Sequence, residues 1–577
     1  MSTVALQGEL LLIADFTIAG LTHFLNAGEP PCLPASVAPF DQVVPILVDS
    51  TAACWKSRPA FALVWTRPQA AIKSFARVLD HEAVAMEELL ADVDGFAECL
   101  REAAKRVSAL FVPTWTYPGY DRGLGVLNLR PPIGPAYCLM RMNARLAEAV
   151  AGDATIRLVD AGRWLLQAGP GASSPKLWHL GKIAFGPEVF RHAAADLKAA
   201  VRALRGQARK LVVLDLDDTL WGGTVGDIGW PNLNLGGHNP VGESFSAFQR
   251  ALKRLGNRGI VLAIVSKNTE ALALEAIDRH PDMVLRRADF AGWRINWNDK
   301  VENIIDLTAE LNLGLNSVVF IDDNPAERAR VREALPDVLV PEWPTDKLRY
   351  EQTLAELTCF DTFTLTEEDH TRTRMYVAER DRKTARESAQ SLDAYLAMLG
   401  LRVTVERLSR SNVTRVAQLL NKTNQLNLTT RRLTEARYLQ WAETEGRDVF
   451  AFRVSDRFDD YGLTGIASLS VDGPVGEVSD FLLSCRVLGR SVEQTMLHVI
   501  AEYARSLGLA RLVATYIPTE RNAPCKQFFD QQSAFARSED GLRYVWELPD
   551  PYPLPRHVDL QYTADAPAGA SRPPVLS

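Results

Sequence analysis

The chain is 577 residues long, enough for three or four domains, and its 47% hydrophobic and 23% charged content is that of a globular protein in water. A formal net charge of −7, with both signs interspersed, excludes the basic face of a nucleic-acid-binding protein. No uninterrupted apolar run reaches the ~20 residues that a membrane span needs, so neither nucleic acid nor a membrane is an expected partner.

Strands and helices are predicted to alternate over residues 1–205, which indicates a layered α/β domain. A second α/β domain is predicted at residues 206–345, starting at the apolar strand LVVLDL, and a helical connector at residues 346–399. Residues 400–548 are predicted to form an α+β domain with a long helix near its end. The last segment, residues 549–577, is rich in proline and alanine, and we expect a disordered tail there. The fold class is therefore α/β multidomain.

Two carboxylates, Asp215 and Asp217, lie at the end of the strand LVVLDL and just past it, in the sequence DLDDTLWGG. Ligands bind at the carboxyl end of strands in open parallel sheets, so Asp215 and Asp217 are placed for chemistry. The spacing favours Asp215 as a nucleophile that attacks phosphorus and Asp217 as the general acid and base. Thr219, two residues after Asp217, is a predicted substrate-binding residue. Adjacent carboxylates would repel a phosphate unless a hard cation intervened, and Mg²⁺ is the expected one.

Three further pieces of such a site follow in order along the chain. Ser266 ends the strand VLAIV and could bind a phosphoryl oxygen, and Lys300 begins a helix and could neutralise the transferring group. Asp322 and Asp323 end the strand SVVFI and, with Asp215 and Asp217, complete a predicted metal-ligand set. Each feature alone is common in strand ends and helix caps, but four in this order predict a phosphoryl-transfer site.

The runs DLDDTLWGG, VSKN, NWNDK and FIDDNPAER resemble the FkbH-like branch of the haloacid dehalogenase (HAD) superfamily. The resemblance covers roughly residues 205–545 and implies that Lys267 and Asn268 of VSKN bind substrate beside Ser266. It also implies a HAD-type Rossmannoid core and an activity as a glyceryltransferase and phosphatase. Such an enzyme takes 1,3-bisphosphoglycerate, removes phosphate and loads a glyceryl thioester onto an acyl carrier protein, in polyketide or related specialised metabolism.

The C-terminal region resembles an N-acetyltransferase (GNAT) fold at the junction Arg486-Val-Leu-Gly489-Arg-Ser491. This sequence is similar to the loop that binds the coenzyme A pyrophosphate through backbone N–H groups at a helix N-terminus. Because the phosphopantetheine arm of a carrier protein is part of coenzyme A, Arg486, Gly489 and Ser491 are predicted to bind that arm. Because Cys485 lies beside this loop, it is the favoured acyl-carrying thiol; Cys359, Cys525 and Cys138 are alternatives.

The seven cysteines are otherwise scattered and show no paired CxxC spacing. They therefore fit neither a disulfide scaffold nor a zinc site, and a reducing cytoplasm is the expected location.

The first domain is similar to the SGNH esterase-like region that precedes the core in some relatives of the family. Where such an esterase has a strand-end GDS, this chain reads Ala14-Asp15-Phe16, and His179 is isolated. The expected role is packing or carrier docking rather than ester hydrolysis.

Two functions of different class remain open on this basis. One is the glyceryltransferase and phosphatase; the other is a small-molecule phosphatase with a binding-only C-terminal domain. The sequence also leaves open another acceptor, such as a saccharide.

Overall fold

The computed structural model describes residues 8–563 apart from a set of short gaps: residues 28–32, 238, 312, 364–373, 379, 381, 383–384, 387–390, 424–425, 432, 434, 520–521, 532–533, 540 and 549–550. The side chains of residues 392, 422, 435–436 and 485 are also outside the description. The chain divides into two compact units, residues 1–287 with 293–370, and residues 288–292 with 371–577. Among the described helices, none combines the length and the apolar character needed to cross a bilayer.

A five-stranded parallel sheet of order β2-β1-β3-β4-β5 forms the centre of the N-terminal region. Its strands are β1 (Leu10–Ala14), β2 (Ala35–Val37), β3 (Phe61–Trp65), β4 (Ala109–Pro113) and β5 (Ile156–Val159). Its helices are α1 (Ala19–Asn26), α2 (Val43–Val48), α3 (Pro68–Ala71), α4 (Lys73–Leu79), α5 (Met86–Ala104), α6 (Pro135–Val150), α7 (Ala161–Ala168), α8 (Pro175–Gly181) and α9 (Pro187–Leu204).

Helices cover both faces of this sheet, because alternate residues of its central strands point to opposite sides. On β1, Leu11 and Ile13 enter one core with α2, α4, α5 and α6, whereas Leu10 and Leu12 enter the other with α1, α7 and α9. The continuous apolar run LLLIA is therefore a strand buried on both faces, as its sequence predicts.

The second sheet has the order β8-β7-β6-β9, and β6 pairs in parallel with both β7 and β9. Its strands are β6 (Leu211–Leu214), β7 (Val261–Ser266), β8 (Phe290–Ile295) and β9 (Val318–Ile321). The helices of this region are α10 (Val225–Ile228), α11 (Pro240–Asn257), α12 (Glu270–Arg279), α13 (Lys300–Glu310), α14 (Pro325–Ala334) and α15 (Tyr350–Ala355).

The start of the predicted connector belongs to this second α/β region. Tyr350 is fully buried, with its ring centroid 5.6 Å from that of Phe248 and 5.2 Å from that of Trp343. The boundary predicted at residue 345 is therefore too early, because a helix with charged surface residues can still insert one aromatic side chain into a core. Most of residues 364–390 lie outside the described residues.

The C-terminal region contains a mostly antiparallel sheet of order β16-β17-β15-β14-β13-β12-β10-β18, with β11 paired to β14. Its strands are β10 (Leu401–Arg407), β11 (Leu426–Asn427), β12 (Arg447–Ser455), β13 (Asp460–Asp472), β14 (Val475–Leu483), β15 (Arg511–Thr515), β16 (Ala536–Arg537), β17 (Arg543–Glu547) and β18 (Val558–Tyr562). Its helices are α16 (Leu392–Leu399), α17 (Val413–Lys422), α18 (Glu435–Ala442), α19 (Val492–Ser506) and α20 (Ala523–Gln531). α19 and α20 contribute to one core and α17 and α18 to another.

The prediction of a disordered tail from residue 549 is wrong over β18. This strand pairs in parallel with β10, and Val558 and Tyr552 are both buried in the C-terminal core. Apolar and polar residues alternate in VDLQY, as they do in a half-buried strand. The prediction missed this strand because it rested on the proline-rich composition of the whole segment. Residues 564–577 lie outside the described residues. The broader prediction, an α/β multidomain protein with parallel sheets, is confirmed.

Candidate active site

Asp215 lies at the carboxyl end of β6, between β7 and β9. β6 consists of four fully buried apolar residues, so the first carboxylate after it comes to lie at the edge of the sheet. The Asp215 N–H donates to the Ile321 carbonyl at 3.0 Å and extends the pairing of β6 with β9. Asp218 has a φ of 54°, in the left-handed region, and so turns the chain sharply after Asp217.

Three carboxylates meet at this edge. Asp215, Asp322 and Asp323 each place one oxygen within 4.8 Å of the other two. Asp322 is completely buried and Asp215 is 7% exposed. The parallel pairing of β6 with β9 explains the meeting, because it aligns Leu214 with Ile321 and hence the residues that follow them.

Lys300 supplies the positive charge of the cluster. Its ammonium is 2.9 Å from Asp215 Oδ1 and donates to Asp322 Oδ2 at 2.6 Å. The residue is 3% exposed and opens α13, whose N-cap Asp299 accepts a hydrogen bond from the Val301 N–H. The cap fixes where the helix starts, and with it the position of Lys300 relative to the sheet edge.

Burial and mutual repulsion dominate the electrostatics of the cluster. Burial and, after it, the neighbouring Asp215 carboxylate raise the pKa of Asp322 to about 6, against the opposing effect of the Lys300 ammonium. Burial also raises the pKa of Asp323, against the opposing effect of Lys347. Burial disfavours the Lys300 ammonium, but Asp215 and Asp322 outweigh it and raise the pKa of Lys300. More negative than positive charge is thus packed into one small volume.

A divalent cation fits this donor set. All three ligand atoms are carboxylate oxygens, which are the hard donors that Mg²⁺ prefers. Lys300 contacts Asp215 and Asp322, so its single positive charge is shared by two of the three carboxylates. Asp215, Asp322 and Asp323 are therefore the residues that could hold Mg²⁺.

Asp217 does not belong to this carboxylate group, and its role as a metal ligand stays a prediction. Its Oδ1 accepts from Trp221 Nε1 at 2.8 Å and from the Val225 N–H at 3.1 Å, and its Oδ2 accepts from Asn268 Nδ2 at 2.9 Å. Burial raises the pKa of Asp217, with the Val225 and Trp221 hydrogen bonds opposing. A carboxyl group with a raised pKa is suited to carry a proton, as the predicted general acid requires.

Thr219 contacts the loop that carries the metal-ligand candidates. Its side chain is fully buried, its Oγ1 accepts from the Asp323 N–H at 3.1 Å, and the same hydroxyl lies 3.5 Å from Asp323 Oδ1. The turn after β6 directs this hydroxyl to the loop that follows β9, and the predicted substrate contact of Thr219 stays a prediction.

The VSKN residues divide between two environments. Ser266 and Asn268 are buried, and Asn268 is bound to Asp217, so this residue positions the predicted general acid. Lys267 is 39% exposed and its ammonium donates to Glu327 at 2.7 Å. The structure thus gives Lys267 a protein partner on α14; its predicted substrate contact stays a prediction.

Lys347 and Arg328 are site residues that the sequence analysis did not identify. Lys347 donates to the Asp218 carbonyl at 2.7 Å and lies 3.4 Å from Asp323 Oδ2. Arg328 donates to the carbonyls of Asp322 and Asp323 at 2.8 and 2.7 Å. Arg328 belongs to the quoted run FIDDNPAER, which could have indicated it, whereas nothing in the local sequence singles out Lys347.

The predicted pantetheine loop forms the entry to α19. Gly489 and Ser491 both have positive φ, at 74° and 65°, so the loop turns tightly before the helix. The Gly489 N–H donates to Glu493 Oε1 at 2.8 Å, and Glu493 is 6% exposed. A carboxylate from the helix's own first turn therefore occupies one N–H that the prediction assigned to a phosphate. Arg486 Nε lies 3.3 Å from the Ser484 hydroxyl.

The backbone of Cys485 opens a 3-10 turn, Cys485–Val487, but its side chain lies outside the described residues. The alternative thiols are poor nucleophiles as they stand. Burial raises the pKa of Cys359 to about 12 despite the nearby Arg209, and burial raises the pKa of Cys525 to about 12. Burial also raises the pKa of Cys138, whose thiol donates to the Pro132 carbonyl. A thiol with a raised pKa is rarely a thiolate at neutral pH.

In the N-terminal sheet, Asp15 directly follows β1, and Arg67 binds its carboxylate. Arg67 donates to Asp15 through its backbone N–H at 2.8 Å and through Nε at 2.6 Å. Phe16, at the position of the missing serine, is 1% exposed and packs edge-on against Trp65 and Phe185. His179 is exposed, and no described side chain hydrogen-bonds it.

This chain is similar to the crystal structure of the N-terminal part of protein BF1531 from Bacteroides fragilis, with 26% identity and a TM-score of 0.56. That structure contains a phosphatase domain complexed with Mg. The match covers 62% of this chain and 94% of the BF1531 chain. A ribosomal-protein-S18-alanine N-acetyltransferase from Escherichia coli matches at 10% identity and a TM-score of 0.19, over 25% of this chain and 94% of its own. A TM-score this low does not establish the fold of the C-terminal region. No family model and no curated protein matches the chain.

Proposed function

We propose that this protein is a Mg²⁺-dependent phosphatase of the HAD type, with Asp215 as its nucleophile. The observation that carries the proposal is the buried cluster in which Lys300 bridges Asp215 and Asp322 while Asp323 lies within metal-binding distance. The similarity to the Mg-complexed phosphatase domain of BF1531 supports the same reading. In this site Mg²⁺ would screen the charge of the phosphate from the three carboxylates.

The residues supply a two-step reaction. A carboxylate oxygen of Asp215 forms a bond to phosphorus while the bond from phosphorus to the leaving oxygen breaks, and Asp217 gives that oxygen its proton. Asp217 then takes a proton from water, whose oxygen attacks the aspartyl phosphate and frees Asp215 and inorganic phosphate. Lys300 offsets negative charge on Asp215 and on the transferring group.

We further propose that the substrate is 1,3-bisphosphoglycerate and that the acceptor is the phosphopantetheine thiol of an acyl carrier protein. The support is the resemblance of the motifs between residues 205 and 545 to the FkbH-like branch. A thiolate attack at the acyl carbon forms a thioester and breaks the bond from that carbon to the phosphate oxygen, so the activation is kept. Attack by Asp215 on the acyl phosphate would instead release glycerate, so the carboxylate site is better suited to the remaining phosphate ester.

One observation favours the second candidate, a phosphatase whose C-terminal region does not transfer acyl groups. The Gly489 N–H at the start of α19 is already bound by Glu493, so a phosphate would have to displace this carboxylate to bind there. Negative charge at a helix N-terminus is stabilising in itself, which explains Glu493 without any ligand.

The two candidates differ in the mass of the carrier. The full chain is incubated with Mg²⁺, 1,3-bisphosphoglycerate and a holo acyl carrier protein, and both proteins are weighed intact. The transferase adds a glyceryl mass to the carrier, whereas the phosphatase releases inorganic phosphate and leaves the carrier unchanged. If no inorganic phosphate is released, both candidates are contradicted.

If Cys485 holds the acyl group, Cys485→Ala should abolish glyceryl loading of the enzyme and the carrier while phosphate-ester hydrolysis at Asp215 stays within about twofold of wild type, because a carboxylate site needs no thiolate. Cys99→Ala, a change of a half-buried thiol in the N-terminal region, is the matched control. An adduct that persists on the Cys485→Ala protein would assign the acyl group to another cysteine or to direct attack by the carrier thiol.

A further inference from the structure

The N-terminal region contains a cavity of about 120 Å³ at the carboxyl edge of its parallel sheet. Residues that follow β3 and β4, together with residues at the start of α8, form its walls. Its size is close to that of an apolar cavity of about 150 Å³ that admits benzene. The cavity is therefore large enough for a ring or for a chain of six or seven heavy atoms.

Arg67 presents the terminal amino groups of its guanidinium to this cavity. Its Nε donates to the buried Asp15 carboxylate, and its guanidinium carbon lies 3.8 Å from the centre of the Trp178 ring. Both contacts hold the guanidinium plane in one orientation. Among the described residues, none accepts a hydrogen bond from the two terminal amino groups of Arg67, which lines the cavity. Two parallel N–H donors of this kind match a carboxylate or a phosphate.

The remaining walls are polar groups without protein partners and aromatic rings. The half-buried side chains of Gln69, Thr116, Ser173 and Ser174 line the cavity, and no described residue hydrogen-bonds them. Trp178 and Phe185 also line the cavity and add aromatic surface to it. A small polar head beside a flat or apolar body is the ligand shape that such a lining complements.

Among the described residues that line the cavity, no hydroxyl group is hydrogen-bonded to a general base. The residue after Asp15 is a buried phenylalanine, and Asp15 itself is held by Arg67. In the described part of the chain the cavity lining includes neither a histidine nor a cysteine. The site therefore has the features of a binding pocket and lacks those of a hydrolase.

We propose that this pocket binds a small organic anion, with its carboxylate or phosphate group on the terminal amino groups of Arg67 and its apolar body against Trp178. This proposal does not rest on the function proposed for the Asp215 site.

The test is isothermal titration of the full chain with benzoate, phenylphosphonate and the neutral benzamide. Benzoate and phenylphosphonate represent the two possible head groups, and the tighter of the two identifies the preferred one. Benzamide should bind at least about tenfold more weakly than the better anion, because it cannot form a charge-assisted pair with Arg67. Equal binding of benzamide, or no heat from either anion up to millimolar concentrations, would overturn the proposal.

The double variant Asp15→Asn/Arg67→Met removes the guanidinium without leaving a buried carboxylate unpaired. We expect at least about a tenfold loss of anion affinity, whereas Arg141→Met, a change of an exposed arginine on α6, should bind as wild type does. Trp178→Leu, at a half-buried position, is a second variant that should weaken binding if the first fails to fold. Wild-type affinity in a folded double variant or in Trp178→Leu would refute the assignment. Phosphate release at the Asp215 site should stay unchanged in all of them, which separates this test from that of the proposed function.

Discussion

Two parallel sheets in this chain end their first apolar strand on a buried aspartate, and the two aspartates have different surroundings. Asp15, 3% exposed after β1, forms an ion pair with Arg67 and with no other residue that the structure describes. Asp215, 7% exposed after β6, shares the Lys300 ammonium with Asp322 and has Asp323 beside it. The position in the fold is the same, but only the second carboxylate belongs to a group with an excess of negative charge.

The difference shows that charge balance, rather than place in the sheet, separates a metal-dependent site from a simple ion pair. One carboxylate with one guanidinium is neutral and needs no cation. Three carboxylates around the two ammonium groups of Lys300 and Lys347 keep an excess of negative charge that repels a phosphate, and a divalent cation relieves this repulsion.

The comparison is tested most strongly by the same substitution at both positions. Asp215→Asn should abolish phosphate release, because the amide keeps the shape of the side chain but cannot attack phosphorus. Asp15→Asn should leave phosphate release within about twofold of wild type. Equal effects in a malachite-green phosphate assay would contradict the distinction between the two sheets.

Removal of divalent cations should affect the Asp215 site and leave the Arg67 pocket unchanged. Excess EDTA should abolish phosphate release, and added Mg²⁺ should restore it, because Asp215, Asp322 and Asp323 lack a sufficient counter-charge. The circular dichroism spectrum should not change, since these ligands follow strands buried in apolar cores. Benzoate binding at Arg67 should also persist in EDTA. Phosphate release at the full rate in EDTA would exclude the metal site.

The general acid should contribute less than the nucleophile. Asp217→Asn should slow turnover by about 10²–10⁴-fold and allow a phosphorylated enzyme to accumulate, because Asp217 acts in both the formation and the hydrolysis of the aspartyl phosphate. Asp306→Asn, an exposed position on α13, is the matched control. Intact-mass measurement after rapid quenching detects the phosphoenzyme. If it is trapped in neither wild type nor variant, the covalent route is wrong.

The smallest effect is expected at Lys347, which contacts the metal-ligand loop from a segment without a recognisable motif. Lys347→Met should raise the Mg²⁺ concentration for half-maximal activity roughly tenfold and change the rate at saturating Mg²⁺ little, because Lys347 orients Asp323 and does not touch phosphorus. Lys56→Met, at an exposed position, should change neither value. A fall in the saturated rate with an unchanged Mg²⁺ requirement would contradict this positioning role.

The sequence by itself determined the elements that carry the chemistry. Asp215, Asp322 and Asp323 directly follow short apolar strands, and Lys300 opens a helix with an aspartate cap, so each position could be predicted from local patterns alone. The physical reason is that a strand buried on both faces must be apolar throughout, so its first polar residue marks the sheet edge.

Tertiary structure alone decided which of these side chains meet. Asp217 is separated from the metal group by hydrogen bonds to Trp221, Val225 and Asn268, and a pattern of two aspartates two residues apart cannot predict those partners. Arg67 neutralises Asp15 from 52 residues away, and Lys347 approaches Asp323 from 24 residues away. Contacts at such separations depend on how strands pair and helices pack, which local composition and spacing do not specify.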